Sequence, residues 1–335
     1  DDHEDGGGGM KPFAYTSPRS TNDASSLATS KDHALPVLKT GGMDLLDRMK
    51  EGLETPGLVI DLTRIDDPAL DRIESGRIGG RATLAAVSDA DVIRESTPMI
   101  AQACGSAATP QVRNVASVAG NLLQETRCWY WRMAQFDCVR KGGEGCPARE
   151  GEHRFHALFP EGPCLMVHPS NLAPALLLLD GSVDVVGGNR TSIPMADLQP
   201  DPAKDWRSTS VLAPGEIVTA VRFDPAPNSG FVALKQKQSF DWPMVSGYAV
   251  LDLDGDVIRS ARTCAGAVAP RPRLLPAVDA ALAGVSITDD EAIRNACEAS
   301  IEGATPLPGT AYKKTLLPVA IRRAVMAAAN PGGDA

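Results

Sequence analysis

Apolar and polar positions divide the chain into recognisable elements. "GLVIDLTRI" (57–65) alternates β-branched and apolar residues with polar ones and predicts a strand, as does "GEIVTAVRF" (215–223). "SVDVVGGNRTSI" (182–193) reads as a hairpin over a glycine turn. "LPVLKTGGMDLL" (35–46) predicts a short strand, a glycine turn and the start of a helix. Ser88, three residues before Asp91, predicts an N-cap opening the helix "DADVIRE". Thr97-Pro98 opens another, with proline at the first helical position, and Ser170 caps "NLAPALLLL", with Gly181 beyond its end.

"DPAPNSG" (224–230) is the best linker candidate, and the pattern changes after it. "FVALKQKQ" and "VSGYAVLDLDGDVIRSARTCAGAVA" predict three antiparallel strands with a turn at Asp254-Gly255. Helical stretches follow around 275–283, 288–302 and 311–328. Strands followed by helices indicate a separate α+β domain, so the fold class expected is α+β in two domains. The acidic, glycine-rich residues 1–9 read as a flexible tail, with Met10-Lys11 resembling a start.

Composition narrows the function. The 335 residues carry a net charge of −9, which argues against nucleic-acid binding. The longest apolar run, "LAPALLLLD" (172–180), is about half the length a bilayer requires, so no membrane span is expected. No signal peptide is legible, and the expected compartment is the cytoplasm, with co-export beside a signal-bearing partner as the alternative. Seven cysteines form an odd set unsuited to a disulfide framework. Cys104, Cys264 and Cys297 lie among small apolar residues and read as buried core thiols.

The other four are spaced Cys128-x9-Cys138-x7-Cys146-x17-Cys164, without the close pairs of a zinc knuckle. Two readings stay open: thiolates converging on an iron–sulfur cluster, or a surface loop with free or disulfide-bonded thiols. In the first, Arg127, Arg132, Arg140 and Lys141 would offset the charge of the cluster. Gly142, Gly143 and Gly145 would bring N–H groups to its sulfurs, and Trp129, Tyr130, Trp131 and Phe136 would exclude water. His153, His156 and His168 are spare ligand candidates. Neither a Rossmann nor a P-loop fingerprint is present. Two glycine-bearing stretches, "KTGGMDLL" (39–46) and "QVRNVASVAGNLLQ" (111–124), have the form of anion-cradling turns.

In combination these motifs resemble the FAD-binding medium subunit of the molybdenum hydroxylases, the xanthine dehydrogenase and aldehyde oxidoreductase family. "MKPFAYTSPRSTNDASSL" (10–27) is similar to that family's opening, and the two glycine-bearing stretches to its two flavin loops. The cysteine-bearing stretch resembles the insertion of one branch, which holds an extra [4Fe–4S] cluster beside the flavin. "FVALKQKQSFDWPMVSGYAV" (231–250) resembles the start of its C-terminal domain.

The resemblance implies a two-part FAD-binding domain of the vanillyl-alcohol-oxidase type at 10–226, with an iron–sulfur insertion at about 126–166. A C-terminal domain of the CO-dehydrogenase-flavoprotein type would follow at 227–331, with a three-stranded antiparallel sheet plus helices. It implies Cys128, Cys138, Cys146 and Cys164 as cluster ligands. It implies Lys39, Thr40, Gly41, Gly42, Met43, Asp44 and Leu45 as the first FAD loop, and Ala116, Ser117, Gly120, Asn121, Leu123 and Gln124 as the second. Ser170 and Asn171 would bind near the ribityl and phosphate part, and Leu212 and Lys235 would line the isoalloxazine. Three residues depart from the family pattern: Met43 stands for Thr, Ala119 for Gly and Asn171 for Asp.

The implied function is electron transfer within a heterotrimer. A large molybdenum-cofactor subunit would oxidise an aldehyde, a small subunit would relay electrons through two [2Fe–2S] clusters, and FAD in this chain would pass them to an external acceptor. Complexes acting on N-heterocycles or aryl-CoA compounds are the alternatives within the family. Outside it stand a flavin-free scaffold subunit and a stand-alone flavin oxidase, and the latter lacks a histidine in either loop for a covalent flavin link.

Overall fold

The computed structural model describes residues 10–237 and 240–330; the tail expected at 1–9 and residue 331 lie outside them. β1 (Ala14–Thr16), β2 (Pro36–Lys39) and β3 (Leu58–Asp61) form a parallel sheet in the order β1-β3-β2. The central strand is buried along its whole length, as its apolar run requires. It is shorter than the 57–65 expected from pattern. The Asp61 side chain accepts from the Thr63 N–H at 3.1 Å and turns the chain into a 3-10 turn at Leu62–Arg64.

β4 (Ile73–Glu74), β5 (Arg77–Gly79), β6 (Ser182–Val186), β7 (Ser192–Pro194) and β8 (Ile217–Arg222) form a second, antiparallel sheet in the order β4-β5-β8-β6-β7. The helices Leu84–Asp89, Pro98–Gly105, Val118–Leu122 and Leu172–Leu178 pack on it to form the largest core. Here the cap expected at Ser88 is corrected. Ser88 lies inside the helix Leu84–Asp89, which Thr83 caps by accepting from the Ala86 N–H. Buried Leu84 and Val87 fix that earlier start, and a separate short helix runs from Asp91 to Ser96. Pro98 opens its helix as expected, but Thr97 Oγ1 bonds the Ala226 N–H and caps nothing.

β9 (Ser229–Lys235), β10 (Pro243–Asp254), β11 (Val257–Gly266) and β12 (Arg273–Leu274) form an antiparallel sheet in the order β12-β11-β10-β9. The two-residue strand β12 adds a fourth to the three expected: Cys264 and Ala265 pair with Leu274 and Arg273. The helices Pro276–Leu282, Asp290–Cys297 and Lys313–Ala329 follow, as the pattern predicts. The two halves are joined firmly. Phe231, Tyr248 and Cys264 of the third sheet belong to the core of the second. The Phe231 N–H donates to Gln102 Oε1 at 2.9 Å and Tyr248 Oη to the Asn171 carbonyl at 2.9 Å.

The helix Lys313–Ala329 lies directly on the backbone of the third sheet. A Cβ on Gly247 would sit 2.5 Å from the Ala320 carbonyl oxygen, and one on Gly230 2.4 Å from that of Ala324. Gly247→Leu is therefore expected to lower stability by about 3 kcal/mol or more. Gly255→Asn, at an open turn with φ +58°, should stay within about 1 kcal/mol. Urea unfolding of the two variants beside the parent chain checks both values.

Candidate functional site

Two loops meet to build a cleft of about 460 Å³, within the range of small-molecule sites. The first leaves β2 at Lys39 and enters the helix Met43–Lys50 through two glycines, each needed for a different reason. Gly42 takes φ +72°, in the left-handed region. Gly41 must lack a side chain, because a Cβ there would lie 2.1 Å from the Val115 carbonyl oxygen of the second loop. The hydroxyls of Thr40 and Ser117 meet at 2.7 Å and close the junction. The helix carries no side-chain cap, and its first intrahelical backbone bond runs from the Leu46 N–H to the Gly42 carbonyl. The N–H groups of its first turn are thus left for an anion.

All seven first-loop residues and all six second-loop residues expected from sequence line the cleft, and so does Asn171. Three others stand differently. Ser170 lies behind the lining: its buried hydroxyl donates to Asn121 Oδ1 at 2.7 Å and accepts from the Leu172 and Ala173 N–H groups. It holds a lining residue and caps the helix Leu172–Leu178. Leu212 packs against the core of the second sheet. Lys235 Nζ donates at 2.7 Å to the carbonyl of Ser106, itself a lining residue; burial, then the nearby Arg113, lowers its pKa. Sequence reasoning missed Arg48, Arg127 and Trp242, which also line the cleft, with the Arg127 guanidinium 4.8 Å from the Trp242 ring centroid. A cation three residues past Gln124 was legible; its aromatic partner, more than a hundred positions away, was not.

The four clustered cysteines are reduced; Cys128, Cys146 and Cys164 lie in two small apolar groups that share Cys146, and Cys138 is buried outside both. Cys128 joins Tyr130, Phe136 and Leu165; Cys164 joins Val139, Met166 and Trp206. Burial first, then negative charge on Cys164 and Cys138, pushes the Cys128 thiol up to about 12. Burial first, then Cys146 and Cys138, pushes Cys164 up to about 11. Among the described residues no three His, Cys, Asp or Glu side chains converge on a single ion. Cys104, Cys264 and Cys297 are buried in the two large cores, as expected.

The surroundings of these thiols correct several expectations. Arg132 is held by Asp44 and Asp47 and Lys141 Nζ by the Met133 carbonyl, whereas Arg140, bonded to Glu125, still lowers the Cys164 pKa. The Gly142 and Gly143 N–H groups bond the Val139 and Cys138 carbonyls and do not reach sulfur. N–H groups of Trp131 and Tyr130 favour the Cys128 thiolate, and that of Met166 favours Cys164. Both ring nitrogens of His153 are engaged, by the Gly151 carbonyl and the Gly309 N–H. His156 Nε2 lies 3.2 Å from Cys128 Sγ. His168 Nδ1 accepts from the Ser170 N–H, which places its proton on Nε2.

Comparison with known proteins adds to this geometry. A family model described as the FAD binding domain in molybdopterin dehydrogenase matches residues 11–226, and one described as the CO dehydrogenase flavoprotein C-terminal domain matches residues 231–328. The FAD-binding subunit of an aldehyde oxidoreductase from Escherichia coli strain K12 is 34% identical over 285 residues, which cover 82% of this chain and 86% of that subunit. The medium subunit of a nicotine 6-hydroxylase from Paenarthrobacter nicotinovorans is 25% identical over 328 residues, 95% of this chain and 98% of that one. A carbon monoxide dehydrogenase structure from Hydrogenophaga pseudoflava shares the fold, with a TM-score of 0.71 and 22% identity over 96% of this chain and 99% of that chain.

The two loop glycines differ in tolerance. Gly41→Ala should leave a folded protein that loses its flavin on gel filtration, because a backbone carbonyl cannot yield to the added methyl. Gly120→Ala should keep most of it, since its Cβ would meet only the Ser117 and Thr40 hydroxyls, at 3.1 and 3.7 Å. The visible flavin band of the purified variants separates the two outcomes.

Proposed function

The chain belongs to the FAD-binding subunits of the molybdopterin-containing CO dehydrogenase and aldehyde oxidoreductase family, and on that premise we propose that it is the FAD- and [4Fe–4S]-carrying electron-transfer subunit of a heterotrimeric aldehyde oxidoreductase. Its partners in this reading are a large molybdenum-cofactor subunit and a small subunit with two [2Fe–2S] clusters. In the same reading residues 10–226 are a flavin domain of the vanillyl-alcohol-oxidase type with an insertion at about 126–166, and 227–331 are the C-terminal domain. Among the described residues no helix is long and apolar enough to cross a membrane; the cytoplasm is the proposed compartment.

The observation that carries the flavin is the contact of Gly41 with Val115, which sets the uncapped first turn of Met43–Lys50 beside the second loop. Such a turn suits a diphosphate, and the rest of the cleft suits a flat, largely apolar ring system. Bound FAD supplies the exchange between one-electron and two-electron carriers. Met43–Leu45 would hold the diphosphate through backbone N–H groups, so Met43, where the family has Thr, still fits. Ser170 would act through Asn121, and Asn171 would face the cofactor directly.

The thiol pocket fits an iron–sulfur cluster on its donors. Arg140 Nε, His156 Nδ1 and His168 Nε2 are buried and have no partner. Arg140 lowers the pKa of Cys164 and also acts on His168, while His156 touches Cys128. Buried donors without acceptors are rare, and sulfur carrying negative charge would supply acceptors for them. Without a metal the raised thiols keep their protons, so binding would have to expel them. A cluster of this kind stores one electron.

The aldehyde assignment follows the relative from Escherichia coli; the nicotine hydroxylase relative supports an N-heterocycle as the second reading. Cys138→Ser is expected to remove about four irons per chain while FAD stays bound, measured by iron analysis of the purified complex. Unchanged iron, or zinc in the native protein, would overturn the cluster; a native complex without a flavin band would favour the scaffold alternative.

A further inference from the structure

The insertion that carries the cysteines also reaches into the flavin cleft. Its first helical turn, Trp129–Arg132, ends on a guanidinium whose three nitrogens are all engaged. Arg132 Nε donates to the Thr126 carbonyl at 2.9 Å and Nη1 to Asp47 Oδ2 at 2.7 Å. Nη2 donates to Asp44 Oδ1 at 2.6 Å and to the Glu125 carbonyl at 3.2 Å. Arg132 does not itself line the cleft; Asp44 does.

Asp44 is the second residue of the helix whose first turn is open to an anion. A free carboxylate there would compete for the turn and repel a diphosphate. Instead it engages none of the first-turn N–H groups. Its oxygens take Arg132, Arg127 at 3.3 Å, Arg48 at 3.2 Å and the Glu125 N–H at 3.0 Å. Burial works to raise the Asp44 pKa, but the Arg132 hydrogen bond and charge, the Glu125 N–H and Arg127 outweigh it and hold the carboxyl below its ordinary range. Arg48 is also tied to Glu54, and Arg127 lies against Trp242. Both line the cleft, so each stands between Asp44 and any anion bound there.

We propose that Arg132 is a positioning residue for FAD: it turns Asp44 away from the diphosphate turn and neutralises it, so that the cysteine-bearing insertion governs flavin affinity. The proposal rests on the flavin reading alone and holds whether or not the thiols bind iron. By linkage, FAD binding and the order of the insertion strengthen each other to the same extent.

The test is FAD affinity of the deflavinated complex, followed by quenching of flavin fluorescence. Arg132→Gln should weaken binding about tenfold. Asp44→Asn in the same chain should restore affinity to within about threefold of the parent, because the charge to be neutralised is gone. A double variant as weak as Arg132→Gln alone would mean that Arg132 only holds the insertion in place, and would overturn the proposal; so would an unchanged Arg132→Gln. If Arg132→Gln fails to fold, Asp44→Asn alone decides: it should tighten FAD, and weaker binding would overturn the proposal. A parent complex that takes up no FAD would instead sink the flavin reading.

Discussion

The contact between Gly41 and the Val115 carbonyl organises the site. Two stretches more than seventy residues apart, one following a strand of the first sheet and the other joining two helices, touch there backbone to backbone. Neither loop could form the cleft alone. The first offers an uncapped helix turn, which is common and weakly specific; the second offers small residues and Asn121. Pressed together at the distance that only glycine permits, with Thr40 and Ser117 bonded across the seam, they leave one continuous channel lined by N–H groups and small side chains. Strain cannot be relieved on either side, because both partners are main chain held by their own elements.

The C-terminal half supports this junction from behind. Tyr248, fully buried, donates to the Asn171 carbonyl. Ser170, the next residue back, fixes Asn121 in the second loop. The path from the third sheet to the flavin cleft thus runs through two hydrogen bonds and one helix start. The segment 224–230, which reads as a linker, is tied down: Thr97 bonds the backbone of Ala226 within it and Gln102 that of Phe231 just beyond it. Such bonds resist the relative domain motion that is otherwise the default for two packed domains.

Much of this was legible because it depends on local chemistry. Glycine turns, the proline at the start of Pro98–Gly105 and the Asp254-Gly255 turn are decided by a few neighbouring residues, and pattern reading found them. The failures share one cause, competition from outside the window. Ser88 has the chemistry of a cap, yet Thr83 wins because Leu84 and Val87 must face the core. The strand after Gly57 stops at Asp61 because a side chain takes a backbone donor. Arg132 reads as a counter-charge for thiolates because it lies beside cysteines in sequence, as Arg140 does. Its carboxylate partners Asp44 and Asp47 lie in the helix Met43–Lys50, and no spacing rule connects them.

That last difference separates two arginines that look equivalent in the sequence. Arg132 has all three nitrogens engaged and holds Asp44 of the cleft, whereas Arg140, nearly fully buried, keeps Nε–H free and lowers the Cys164 pKa. Arg140 also bonds Glu125, whose N–H holds Asp44. Glu125 is therefore the joint between the two pockets: its side chain accepts from Arg140 and its backbone N–H donates to Asp44. The same short stretch, Gln124 to Arg132, lets the chain leave the cleft and begin the cysteine-bearing pocket without an intervening linker.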